Sequence, residues 1–198
     1  MGWLISAFKI VLSPKTAALV NLALVALMWV LELIDSLTGG ALDKLGIRPR
    51  ELTSLPEIIT APFLHLGFPH LIANTVPLFI LGFLILLSGW RAWAITSMLV
   101  IATSGLVVWL LAAPGTITLG ASGLVFGWMA FLLARGFFTR DGGQIVIGVV
   151  VALLYGGLVW GLLPTASDVS WQGHLGGAIG GVLAAWLLHG QRRFHTLT

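Results

Sequence analysis

The 198-residue chain contains no cysteine, which removes disulfides, thiolate nucleophiles and cysteine-ligated metals. It is almost as short of charge: ten Lys and Arg and seven Asp and Glu make 9% of the sequence, where a soluble domain carries about a quarter. So little charge excludes an ordinary soluble domain and a disordered tail. The basic surplus is small and dispersed, so nucleic acid is not an expected partner. What the chain has instead is apolar length, with 58% hydrophobic residues and a mean hydropathy of +1.04. A membrane protein remains.

A spanning helix takes about 20 apolar residues, so this length holds about six spans and no separate soluble catalytic domain. Apolar runs between charges and turn signals place the spans near residues 16–34, 70–88, 92–112, 121–135, 143–163 and 172–189. The expected fold is an all-α membrane protein, one six-helix bundle over residues 1–198 with a long interfacial loop at 35–68. Ser13-Pro14 reads as a cap and first-turn proline opening span 1, and the apolar stretch before it, with Lys9, is expected to lie along the interface. In the loop, Leu42, Leu45, Ile47, Leu52, Leu55, Ile58 and Ile59 alternate with charges and suggest short amphipathic helices in the interface. Lys9, Lys15, Arg91, Arg135, Arg140, Arg192 and Arg193 fall on one side and Lys44, Arg48 and Arg50 on the other. The positive-inside rule then puts both termini in the cytoplasm.

In that orientation spans 2, 4 and 6 all begin in the outer leaflet, and the unusual polar residues collect at those ends. Span 2 opens with His65, His70 and Asn74, span 4 with Gly120-Ala121-Ser122-Gly123, and span 6 with Gln172-Gly173-His174. Polar side chains are costly in a membrane and gather around interiors and wet cavities, so three such ends suggest one site. If Arg135 marks the inner boundary, Ser122 lies about 20 Å above it and about 10 Å below the outer surface of a roughly 30 Å core. Segment 113–119 then dips into the membrane, where protein or water must cover its backbone.

A serine at a sunken helix N-terminus meets unpaired backbone N–H groups and the positive end of the helix dipole, an environment suited to an oxyanion. Gly123 and Gly127 on span 4 face Gly173, Gly176, Gly177, Gly180 and Gly181 on span 6, and such small-residue faces let His174 approach Ser122. A serine beside an imidazole base is a minimal nucleophile pair, and His70 and Asn74, four apart on one helical face, can add oxyanion donors. Weighed alone, each element has a plainer reading: a capping serine, packing glycines, an interfacial histidine. Plainer roles are also expected for His189 and His195 at the interface, for Asn21 and Glu32 in interhelical bonds or reaching the interface, and for Thr103 and Ser104 bonding their own backbone.

Taken in order, His65-x4-His70-x3-Asn74, Gly120-x-Ser122-Gly123 and His174 followed by Gly176-Gly177 resemble the rhomboid intramembrane serine proteases, over nearly the whole chain. The resemblance implies a Ser122–His174 dyad without an acidic third member, an oxyanion hole of His70, Asn74 and the Ser122 N–H, and packing of the site by Gly120, Gly123, Phe126 and Gly177. It implies no metal and no cofactor, and as partners transmembrane protein substrates within membrane lipids, in a bacterial plasma membrane. The missing acid agrees with the sequence, since none of the seven carboxylates lies in spans 2, 4 or 6. Two departures stand out. Many family members carry tyrosine where this chain has Phe126, and the Trp-Arg pair often found in the first loop occurs here only as Trp90-Arg91, after span 2. Two alternatives remain beside the protease: an inert rhomboid-like protein that binds membrane clients, and a small transporter using the same polar cavity.

Overall fold

The structure is a computed structural model that describes residues 12–164 and 169–190. Among the described residues the chain forms six long helices and no strand: α1 (Pro14–Leu37), α2 (Phe68–Leu86), α3 (Trp90–Leu111), α4 (Ser122–Thr139), α5 (Gly142–Tyr155) and α6 (Trp171–His189). A 3-10 segment, Gly156–Leu162, prolongs α5. Helices α1 to α4, and α5 with its extension, are long and apolar enough to cross a membrane. Helix α6 has 19 residues, but its glycines, Gln172 and His174 make it less apolar, and it packs against α3 and α4.

Local chemistry explains the first boundary. Ser13 Oγ accepts the Thr16 N–H at 3.1 Å and Pro14 occupies the first turn, so α1 begins where the sequence places it. The expected interfacial stretch with Lys9 lies outside the described residues, as do Arg192, Arg193 and His195. Asn21 makes the expected interhelical bonds, donating to the carbonyls of Leu78 (2.9 Å) and Phe79 (2.7 Å) on α2. Gly82 leaves the room for it, because a Cβ there would collide with Asn21 Oδ1 and the Trp128 ring.

Helix α4 is the central post of the bundle. Two-thirds of its apolar window (67%) is buried, against 11% for α5, and it packs against α2, α3, α5 and α6. Leucines exposed on the outer helices, among them Leu19, Leu22, Leu33, Leu153 and Leu154, form a surface suited to lipid rather than water. The inner boundary needs correction. Arg135 is not at the surface: α4 runs on to Thr139, and Arg135 is buried, bonding Ser88 Oγ and Gln144 Oε1 and lying 5.6 Å from the centre of the Phe131 ring. The 18 residues of α4 rise about 27 Å, close to the roughly 30 Å thickness of a bilayer core.

The connection between α1 and α2 holds short helical segments, 3-10 at Asp43–Leu45, Leu52–Ser54 and Ala61–Phe63 and α-helical at Glu57–Thr60, none longer than four residues. The chain is folded down by bonds to α3 and to the segment before α4. Arg50 donates from its backbone N–H to Trp109 O (3.0 Å) and from its guanidinium to the carbonyls of Leu110 (2.8 Å) and Ala112 (2.9 Å). Trp109 Nε1 donates back to Glu51 O (2.9 Å). These contacts satisfy orphan carbonyls at the end of α3. Ile47 and Thr118 exchange backbone bonds at 2.8 and 3.0 Å, and Ile47, Ile58, Ala61, Leu64, Val108, Ala112 and Leu119 close a second small core. Of segment 113–119, however, only Leu119 is buried and residues 113–117 are exposed, so the loop covers just the end of this segment that leads into α4.

Candidate active site

The site begins where the chain enters α4. Gly120 has φ +128°, a backbone that side-chain-bearing residues rarely adopt, and its N–H donates to Ala61 O at 2.9 Å. A Cβ there would also stand 2.5 Å from His70 Cε1. Ala121 is the cap residue and offers no side-chain bond, so Ser122 occupies the first helical position and is not a cap. The first intrahelical bond runs from Val125 N–H to Ala121 O (3.1 Å), which leaves the amides of Ser122, Gly123 and Leu124 ahead of the ladder. These amides and the dipole form an anion-favouring end beside the serine hydroxyl.

On α6, Ser170 caps the helix by accepting the Gly173 N–H at 3.2 Å, and His174 follows in the first turn, buried. His174 Nδ1 lies 2.8 Å from Gly161 O. A carbonyl can only accept, so Nδ1 carries the proton and Nε2 keeps its lone pair. Phe126, one turn beyond Ser122, stacks on the imidazole with centroids 3.9 Å apart and planes 7° from parallel. Ser104 differs from expectation. Thr103 does bond its own helix, to Leu99 O at 2.8 Å, whereas Ser104 donates across to Gly173 O at 2.8 Å, because the glycine faces bring α6 within its reach.

The seam between α4 and α6 is backbone against backbone. A Cβ on Gly177 would collide with Gly123 O, and one on Gly181 with Gly127 O. Ser122, His174, His70, Asn74, Gly120, Gly123 and Phe126 all line one cavity of about 790 Å³; Gly177 lies behind it in the seam. Asn74 gives one amide hydrogen to His70 O (3.0 Å) and retains the other. Ser122 and His174 share the cavity without a direct hydrogen bond, a contact that in such pairs often tightens only with substrate. Among the described residues, no three His, Asp or Glu side chains converge as a metal site.

A family profile described as Rhomboid domain matches residues 52–191. The chain belongs to the rhomboid family. Its relatives include an uncharacterized protein of Mycobacterium tuberculosis, 47% identical over 180 residues, covering 87% of this chain and 75% of the relative. An uncharacterized protein of Mycobacterium bovis matches equally well, and one of Mycobacterium leprae is 45% identical, over 87% of this chain and 71% of its own length. With five apolar spans and this family, the protein is an integral membrane protein.

Within this rhomboid-family chain, three contributions escape sequence reasoning: the Ser104 bond to Gly173 O, the Gly161 carbonyl and the Arg50–Trp109 clasp. His65, first residue of the motif that opens α2, stands beside the entry to α4. It is buried, its ring stands edge-on to His70 at 5.1 Å, and its Nε2 faces the Ala121 N–H at 3.4 Å. Burial, then the neighbouring His70, pushes its imidazole down to about 3. Unfolded histidine titrates near about 6.5, so below that pH the unfolded chain takes the proton first and folding stability falls with pH, by about 1.4 kcal/mol per unit from this group. Denaturation in detergent micelles between pH 7.5 and 5 is expected to show this loss, and His65→Asn to make the slope shallower. An equally steep slope in the variant would refute the assignment.

Proposed function

We propose that the protein is an intramembrane serine endopeptidase that hydrolyses peptide bonds in or near transmembrane segments of membrane proteins. The observation that supports it best is the pairing, in one cavity within an apolar bundle, of a serine at an uncapped helix N-terminus with a histidine whose Nδ1 is already committed. Ser122 Oγ attacks the substrate carbonyl while His174 Nε2 takes its proton. The oxyanion forms beside the Ser122 N–H, with His70 and Asn74 as further donors. His174 then protonates the leaving amine, and water, deprotonated by the same nitrogen, releases the acyl group from Ser122. Substrate segments unwound by small residues and helix breakers suit this site, since an extended strand presents its carbonyls.

The membrane is taken to be a bacterial plasma membrane, with both termini cytoplasmic and the cavity toward the outer face. With Arg135 buried, that orientation rests on Lys9, Lys15, Arg91, Arg140, Arg192 and Arg193 against Lys44, Arg48 and Arg50. Arg48 is in addition engaged by Glu51 (2.9 Å) and Glu57 (2.8 Å), and Arg50 by helix carbonyls.

The direct test is labelling by a fluorophosphonate in detergent, with the adduct mapped by mass spectrometry. The wild-type protein is expected to carry the label on Ser122, and Ser122→Ala none. Labelling that persists unchanged in Ser122→Ala sinks the proposal.

A further inference from the structure

We infer that the carbonyl end of α5 serves His174 as a carboxylate serves the histidine of a three-membered triad, with Gly161 as a positioning residue. This rests on the serine-protease reading and adds to it a third participant made of backbone.

The argument begins with the shape of α5. At Gly156 the helix tightens into a seven-residue 3-10 run, long for that geometry, where three or four residues are usual. Its last turn closes with Leu163 N–H donating to Trp160 O at 3.1 Å. The Gly161 carbonyl lies beyond that closure, one of the orphan acceptors every helix leaves at its C-terminus, and its partner is His174 Nδ1 at 2.8 Å. A glycine is required there, since a Cβ would stand 2.9 Å from Phe126 Cζ and 3.1 Å from His174 Nδ1. Phe126 then holds the flat of the imidazole and Gly161 its edge, which fixes ring and tautomer together.

Electrostatics points the same way. A helix C-terminus carries about half a negative charge, and a cationic histidine placed there gains from it. When His174 takes the Ser122 proton it becomes imidazolium, and its Nδ1–H bond to Gly161 O becomes charge-assisted and stronger. The oxyanion forms at the N-terminal end of α4 in the same step. The ion pair created by the reaction therefore lies between the two helix ends whose polarities suit it. No described carboxylate bonds His174, so the acceptor role falls to this carbonyl.

The test combines a spectrum with an atom-level substitution. In micelles at pH 8, the nitrogen spectrum of [15N]histidine-labelled protein is expected to show His174 as the Nδ1–H tautomer. Replacing Leu162 by its α-hydroxy analogue turns the preceding amide into an ester and weakens the Gly161 carbonyl as an acceptor. Cleavage of a model transmembrane substrate should then fall about tenfold in kcat, with KM unchanged and the tautomer signal shifted toward Nε2–H. The same replacement at Val159, which also deletes an N–H from the 3-10 run, should leave kcat as it was. So should Asp168→Asn, which removes the carboxylate closest in sequence to His174 on the α5 side. An Nε2–H tautomer in the wild-type protein overturns the inference, as does wild-type kcat in the Leu162 ester or loss of activity in Asp168→Asn. A wild-type protein that neither labels nor cleaves defeats the protease reading instead, and the tautomer measurement still decides the hydrogen bond.

Discussion

Ser122→Ala is expected to lower the cleavage rate of a model transmembrane substrate by about 10⁴-fold or more while leaving the melting temperature in detergent unchanged. The second half follows from the structure. Ser122 Oγ makes no hydrogen bond among the described residues and caps no helix, so alanine removes a nucleophile and no structural contact. His174→Ala is expected to cost as much in rate, though some stability too, because it gives up the Phe126 stack and the bond to Gly161 O. The sharper prediction concerns the double variant. A nucleophile and its base act as a unit, so losing both should cost no more than losing either. Effects that multiply would mean the two residues contribute separately, and the dyad would have to be abandoned.

Gly177→Ala, like Gly181→Ala one turn on, should be among the most disruptive single methyl additions to the described residues. Its Cβ would enter the Gly123 carbonyl, which is backbone at both ends and has no rotamer through which to withdraw. Overpacking usually costs about 1–3 kcal/mol, and a contact that only rigid helices can relieve belongs at the top of that range. Activity should suffer beyond the stability loss. Parting α4 from α6 carries His174 away from Ser122, and a misplacement of about 1 Å is worth about 100-fold in rate. Gly157→Ala supplies the control, because a Cβ there meets nothing within 4 Å. Chemical denaturation and initial rates of the two variants check the contrast; an active, stable Gly177→Ala protein would show that the seam does not set the dyad.

What could be read in the sequence was whatever depends on position along a helix. Ser122, Phe126 and the glycines of α4, like His70 and Asn74 on α2, fall into place once a helix start is known, because spacing dictates face. Contacts made by chain segments folding back on one another were not readable. The clasp between Arg50 and Trp109 joins residues far apart in sequence, and the bond from His174 goes to a carbonyl, a group every residue possesses. Arg135 misled for a related reason. A charge between apolar runs reads as a boundary unless its partners are known, and Ser88 and Gln144 are uncharged residues on neighbouring elements.

The position of His174 on α6 also has a bearing on how the molecule is made. The ribosome delivers Ser122 about fifty residues ahead of it, an interval of about 3–10 s at about 5–20 residues per second. Throughout that time the nascent chain holds a serine with no base beside it and no opposite face for the α4 glycines to meet. On the serine-protease reading, a chain assembled in this order gains its activity only once α6 has joined α4, and stays inert among the unfolded membrane segments that surround its own insertion.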